Sequence, residues 1–427
     1  MKDPLEASER AAILARPRPR HALPILDGPP EPGAPKRRYL PLATPRESDR
    51  GFEPLFAVWE VTLRCDLACR HCGSRAGRAR HDELSTEECV DLVRQLAGIG
   101  TREVAIIGGE AYLRDDWTTI IRAIRDHGMR AVMTTGGRGL TPERARAAKE
   151  AGLQGVSVSI DGERETHDRL RGVSGSYDAA FDALRALRDA GINVATNTQI
   201  NRLTMPEMPR MVDRLGDAGV QSWQIQLTVP MGRAADEPDV LLQPYDMLDL
   251  HPMLAELVPA AKARGIDVVA GNNVGYFGPH ESALRGRTHS GHSGGCGAGR
   301  VTIGIEADGT IKGCPSLSTS TWSGGNVRET SLQDIWERST ALRYTRDRTT
   351  EALWGYCASC YYADECRAGC TWTADVIFGK PGNNPYCHHR ALEMKKAGKR
   401  ERVVQVEAAP GLPFDHGRFE LIEEPIG

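Results

Sequence analysis

The sequence is poor in the features that mark a chain for membranes, nucleic acid or export. No apolar run is long enough to cross a bilayer, and the first residues are charged, so neither a membrane nor a secretory route is expected. Aromatic residues make up only 6%, and 54 Lys and Arg against 57 Asp and Glu leave a net charge of −3. That near balance gives no electrostatic basis for a nucleic-acid partner. The most informative gap is in cysteine: none lies between Cys89 and Cys296, although the chain of 427 residues carries eleven. A disulfide scaffold would not leave its middle empty. Two clusters of cysteines in a chain without an export signal read instead as metal ligands in the reducing cytoplasm.

Residues 1–50 are rich in Pro and Arg and lack apolar periodicity, which predicts an extended arm. Over 51–270 short β-branched runs alternate with longer amphipathic segments. Strands are expected at 56–62, 103–107, 130–134, 155–160, 192–200 and 220–227, with helices at 86–96, 116–127, 142–151, 177–189, 205–217 and 244–263. Gly100, Gly128, Gly152, Gly191 and Gly219 stand where helices end. Six βα units in series imply an α/β fold with a parallel sheet and right-handed crossovers, whose ligands gather at the C-terminal ends of the strands. Beyond 270 the alternation stops. Residues 271–397 read as a small core stapled by metal, and 398–427 as a charged tail with one strand near Phe419.

The chemistry sits at the expected strand ends. The first is followed by Cys65-Asp-Leu-Ala-Cys69-Arg-His-Cys72. Three thiolates on so short a loop suit three irons of a [4Fe–4S] cluster and leave the fourth iron to something that is not protein. The second strand ends in Ile107-Gly108-Gly109-Glu110, where paired glycines allow close backbone approach to a ligand and a carboxylate suits a cationic amine.

Together these motifs resemble the radical S-adenosylmethionine (SAM) enzymes. The resemblance implies a partial (β/α)6, TIM-like barrel in which the spare iron of the Cys65/Cys69/Cys72 cluster chelates SAM and the Gly108-Gly109-Glu110 segment holds its amino group. It further implies SAM contacts from Thr135, Ser159, Arg171 and Asn197, and from the backbone at Leu227. Two departures stand out, Ala111 where the family often has Pro and His71 where it often has Tyr or Phe; neither removes a ligand.

The remaining cysteines, Cys296, Cys314, Cys357, Cys360, Cys366, Cys370 and Cys387, resemble in spacing the SPASM domain that follows some radical SAM barrels. A zinc site at Cys357, Cys360, Cys366 and Cys370 is the competing reading. The resemblance implies that Cys357, Cys360, Cys366 and Cys387 fill one auxiliary [4Fe–4S] cluster, and that Cys296, Cys314 and Cys370 hold a second. No further cysteine follows Cys296 closely, so the second keeps one position for His289, His292, a substrate group or water. Cys89, on the helix capped by Ser85, reads as a buried core thiol.

By resemblance, then, the chain reductively cleaves SAM with electrons from a flavodoxin- or ferredoxin-type donor and oxidatively modifies a ribosomally made peptide. The alternative is a small-molecule or tetrapyrrole substrate, a reading to which Leu170–Tyr177 and Asn383–Cys387 lend their likeness to haem-pathway members. A non-catalytic iron–sulfur protein is the third reading, and it would need no SAM site.

Overall fold

The computed structural model describes residues 9, 11, 12, 42–44, 46–286 and 295–426. Most of the 1–50 arm, together with His289 and His292, lies outside the described residues.

A short apolar run, Phe-Ala-Val-Trp, forms the first strand, β1 (Phe56–Glu60), whose Ala57 and Trp59 are wholly buried. The chain then runs α1 (Thr86–Gly98), β2 (Glu103–Ile107), α2 (Trp117–Asp126), β3 (Arg130–Thr135), α3 (Pro142–Glu150) and β4 (Gly155–Ser159). Two helices, α4 (Arg164–Arg171) and α5 (Ser176–Asp189), lead to β5 (Asn193–Ile200), α6 (Met208–Asp217), β6 (Ser222–Leu227), α7 (Met247–Ala263) and β7 (Asp267–Ala270). The apolar spacing that predicts these helices is what they bury. In α2, Trp117, Ile120, Ile121 and Ile124 face the sheet, each isoleucine contributing about 1.5–3 kcal/mol. The five glycines expected at helix ends all have positive φ. Cys89 is a core side chain of α1, 1% exposed.

Three features depart from the periodicity. Helix α4 and strand β7 are additional elements. The last residues form a hairpin, β11 (Lys399–Glu407) paired antiparallel with β12 (Arg418–Pro425), not a single strand near Phe419.

The cysteine-rich region supplies α8 (Glu281–Arg285), β8 (Thr302–Ile305), β9 (Thr310–Lys312), α9 (Thr319–Trp322), β10 (Gly325–Asn326), α10 (Leu332–Arg338), α11 (Thr340–Asp347), α12 (Ala363–Cys366), α13 (Thr371–Phe378) and α14 (His388–Lys396). Its strands extend the first sheet. The order is β10-β9-β8-β1-β2-β3-β4-β5-β6-β7, with β8 parallel to β1. β1 to β7 follow chain order and are parallel throughout. The architecture is therefore an α/β parallel sheet of partial TIM-barrel type, followed by a cysteine-rich domain. At the β1–β8 seam Arg80 pairs with Glu60, Glu306 and Asp308, and fully buried Lys312 pairs with Glu306 at 2.8 Å. Two cations there face three carboxylates, and burial pushes the Glu60 carboxyl up to about 7, which eases the excess of negative charge. Among the described residues no helix is long and apolar enough to cross a membrane.

Candidate functional site

The loop after β1 is held from several sides. Cys65 donates its N–H to Gly77 O at 3.0 Å, Ala68 and Arg70 donate to the carbonyls of Arg171 and Leu170 at the end of α4, and Arg233 donates to Cys72 O. Arg75 clamps the far side through Asp236 at 2.7 Å and Asp415 at 2.8 Å, while Phe414 N–H reaches Gly73 O at 3.1 Å. The loop between β11 and β12 thus braces the three cysteines, a role that nothing in its sequence announces.

The paired glycines make room for backbone. A Cβ on Gly108 would lie 2.3 Å from Thr62 O, and one on Gly109 would lie 2.2 Å from Arg64 O. Gly109 and Glu110 donate their N–H groups to Thr62 O and Arg64 O at 2.7 and 2.8 Å, locking the end of β2 beneath the cysteine loop. Glu110 accepts from the Thr135 hydroxyl and from Gly136 N–H at 2.6 Å. Its carboxylate, 2% exposed, faces the loop, and Cys65 Sγ with Asp66 and Glu110 oxygens lie within 4.8 Å of one another. Burial pushes the Glu110 carboxyl up to about 7, against the bonds from Thr135 and Gly136. A cation placed there would favour its ionised form.

Ser159 and Asn197 are hydrogen-bonded to each other across β4 and β5 at 3.1–3.2 Å. Arg171 faces Asp161 at 2.6 Å and donates to Cys69 Sγ at 3.6 Å. Asp161, wholly buried, also takes His71 Nε2 at 3.0 Å. Burial would raise the Asp161 carboxyl, yet Arg171 and His71 hold it well below the usual range. Leu227 gives its N–H to Asn273 Oδ1 at 3.2 Å and receives Asn273 Nδ2 at 2.9 Å on its carbonyl. Thus Arg171 reaches the cysteine loop itself, and the Leu227 backbone is already engaged by a side chain. Sequence reasoning missed Arg233 and Asp415, which only their charge marks, and it did not pair Asp161 with His71.

The thiols show what such surroundings do. Burial raises Cys69, opposed by Arg171. It would raise Cys72 as well, but Arg233, Ser74 and Ala76 N–H hold that thiol below its ordinary value. Guanidinium groups beside two of the three sulfurs favour thiolates, the form that binds iron.

His167, behind this network, accepts Asp161 N–H at Nδ1 (3.1 Å). Burial and then Arg171 push its pKa down to about 3 from 6.5. The folded protein therefore binds fewer protons there than the unfolded chain. The stability that follows is complete above pH 6.5 and drains as pH falls toward 3. Urea midpoints should fall with acidification over that window, and His167→Gln should lessen the fall; parallel curves for the two proteins would refute this.

The seven downstream cysteines line two cavities. One is walled by Cys357, Cys360, Cys366 and Cys387 with Tyr276 and Tyr362. The other, which is larger, is walled by Cys296, Cys314 and Cys370 with Gln226, Asn272 and Trp372. A single zinc ion with ~2.3 Å bonds would hold its sulfurs about 3.8 Å apart. Among the described residues the only three ligand atoms within 4.8 Å of one another are those of Cys65, Asp66 and Glu110. Cys370 also lines a different cavity from Cys357, Cys360 and Cys366, so the four do not gather as a single zinc site, and the donor set, all thiols, fits iron–sulfur clusters.

A family model described as the radical SAM superfamily matches residues 59–215, and the SPASM iron–sulfur cluster-binding domain matches residues 296–361. The AdoMet-dependent heme synthase of Nitratidesulfovibrio vulgaris is 30% identical over 360 residues, covering 79% of this chain and 93% of that protein. The chain is a radical SAM/SPASM enzyme. Mycofactocin maturase MftC of Mycobacterium tuberculosis is also 30% identical, over 389 residues, covering 88% of this chain and 92% of that one. In fold, AdoMet-bound anSMEcpe superposes with a TM-score of 0.64 at 15% identity, over 80% of this chain and 95% of the other. Streptococcus suis SuiB bound to S-adenosylmethionine gives 0.62 at 18%, over 78% and 76%. The cofactors of this radical SAM/SPASM enzyme are accordingly SAM, its [4Fe–4S] cluster and auxiliary iron–sulfur clusters.

Proposed function

We propose that this radical SAM/SPASM enzyme crosslinks or dehydrogenates a ribosomally made peptide in the cytoplasm, with electrons from a flavodoxin- or ferredoxin-type donor. Cys65, Cys69 and Cys72 hold the SAM cluster, and Glu110, steadied by Thr135, takes the amino group of SAM. Ser159 and Asn197 offer a hydroxyl and a carboxamide to the rest of that ligand. Arg171 supports the loop from below through Cys69. A reduced cluster and SAM bound there would supply the radical chemistry that removes a hydrogen atom from the substrate. The protein's part is to orient the substrate and exclude water. Cys357, Cys360, Cys366 and Cys387 hold one auxiliary cluster completely; Cys296, Cys314 and Cys370 hold the other with one position left for a different ligand.

The lining of the larger cavity carries the choice of substrate. Among the described residues Gln226, Asn272, Thr302, Ser316 and Thr371 line it with carboxamides and hydroxyls, and no Lys, Arg or His does. Carboxamides pair with peptide N–H and C=O groups, whereas the carboxylates of a tetrapyrrole call for cations. The tetrapyrrole reading keeps the support of relatives named heme synthase. The two segments that resemble haem-pathway members have scaffold roles, however. Asp168 caps the start of α5 through Ser176 and Tyr177, and Asn383 and Asn384 brace Arg390.

Anaerobic turnover of the reconstituted enzyme with candidate precursor peptides and, separately, with iron porphyrins tests the assignment by mass spectrometry. A peptide product lacking a pair of hydrogens, with 5′-deoxyadenosine formed alongside, is expected. Turnover of porphyrin alone would overturn it.

A further inference from the structure

A strained stretch of backbone lies between the two auxiliary cavities. Gly275, Tyr276 and Phe277 have φ of 109°, 110° and 52° in succession, and two of the three carry aromatic side chains for which the left-handed region is unfavourable. The surroundings impose this conformation. Tyr276 N–H donates to Glu281 Oε2 at 3.2 Å, Arg285 donates to the carbonyls of Gly271 (2.9 Å) and Val274, and Phe277 stacks on Tyr362 with centroids 4.4 Å apart. His389 N–H reaches Tyr276 O at 3.3 Å.

The strain delivers one side chain to one place. The Tyr276 ring, 1% exposed, walls the cavity of Cys357, Cys360, Cys366 and Cys387. Its hydroxyl passes through to the other set: it accepts the N–H of Cys370 at 2.9 Å and donates to Asn272 O. Gly369 is needed for the fit, since a Cβ there would lie 2.4 Å from the ring. An ordinary buried tyrosine needs one hydrogen-bond partner and no strained backbone. This one is held at some cost with its phenol on the main chain of a cysteine from the opposite cavity.

We propose that Tyr276 is a positioning residue that partitions the two auxiliary cluster sites and sets the potential of the Cys296/Cys314/Cys370 cluster by keeping the Cys370 N–H away from sulfur. Hydrogen bonds to cluster sulfurs favour the reduced state, so withholding one keeps the potential low. The inference rests on the division of cysteines given above.

Potentials followed by EPR in the reconstituted enzyme test it. Tyr276→Phe, which keeps the ring and removes the hydroxyl, should bind as much iron as the wild type. It should move the signal that disappears in Cys314→Ala to more positive potential and leave the signal that disappears in Cys357→Ala in place. Gly369→Ala displaces the ring from the opposite side and should move the same signal. Unchanged potentials in either variant with full iron overturn the proposal alone, and a shift of both signals together overturns the partition. If Cys314→Ala and Cys370→Ala abolish different signals, the cysteine division fails and the proposal fails with it.

Discussion

Cys65→Ala protein is expected to come out of anaerobic reconstitution one cluster short, with both auxiliary clusters in place and no 5′-deoxyadenosine formed. The expectation of complete loss rests on geometry. Cys65 Sγ sits with Asp66 and Glu110 oxygens inside 4.8 Å, so the groups beside the lost sulfur are carboxylates, not the thiolates that iron–sulfur clusters use. The retention of the other two clusters follows from the placement of their ligands in separate cavities, on residues that the cysteine loop does not contribute. Iron analysis with EPR of the reduced protein reads both halves of the result. Residual SAM cleavage well above background, or loss of all three clusters, would contradict it.

The second large effect is expected from a single methyl group. In Gly109→Ala the new Cβ would stand 2.2 Å from Arg64 O and 2.6 Å from Arg64 C, both backbone atoms. No side chain can rotate away to relieve this, so the cysteine loop must move relative to β2. Overpacking of this kind costs about 1–3 kcal/mol or more. The functional cost is larger, because a shift of about 1 Å at a reacting centre lowers rates about 10²-fold. SAM cleavage in Gly109→Ala should therefore fall by about that factor. Gly98→Ala is the control: nothing lies within 4 Å of a Cβ there, and Gly98 is helical. Equal activity in the two variants would show that the close approach of β2 to the loop does not matter.

The strands and helices were largely legible because periodicity is a local signal. The 3.6-residue spacing of Trp117, Ile120, Ile121 and Ile124 predicts α2, and α2 buries those four side chains. Strand β7 escaped because four residues with half-exposed side chains carry no alternation worth reading. Helix α4 escaped because its sequence, Arg-Glu-Thr-His-Asp-Arg-Leu-Arg, is almost wholly polar; what it buries includes His167 and Arg171. The C-terminal hairpin was hidden by its many charges; Val403 and Phe419 face in, and so does Glu401, which pairs with buried Arg390.

The site divides in the same way. Residues whose roles depend on their own chemistry, the ten clustered cysteines and Glu110, are readable one motif at a time, since ligand type and spacing are properties of the chain. Arg171 stands out in the sequence by its charge, but its partners lie elsewhere in the fold. Asp161 is ten residues away in sequence, whereas Cys69 is 102 away, and helix α4 crossing beneath the loop is what brings that sulfur to the guanidinium.

By itself, then, the sequence determined the inventory: three thiolates on a loop, a carboxylate at the next strand end, seven further cysteines, and parallel βα order. The tertiary structure decided how these meet. Pairing of β8 with β1 makes one sheet of two regions, and seven cysteines part into two cavities on either side of Tyr276. The reason is physical. Periodicity and spacing report on neighbours along the chain, while register between distant strands and the placing of buried charges are settled only when the whole core packs.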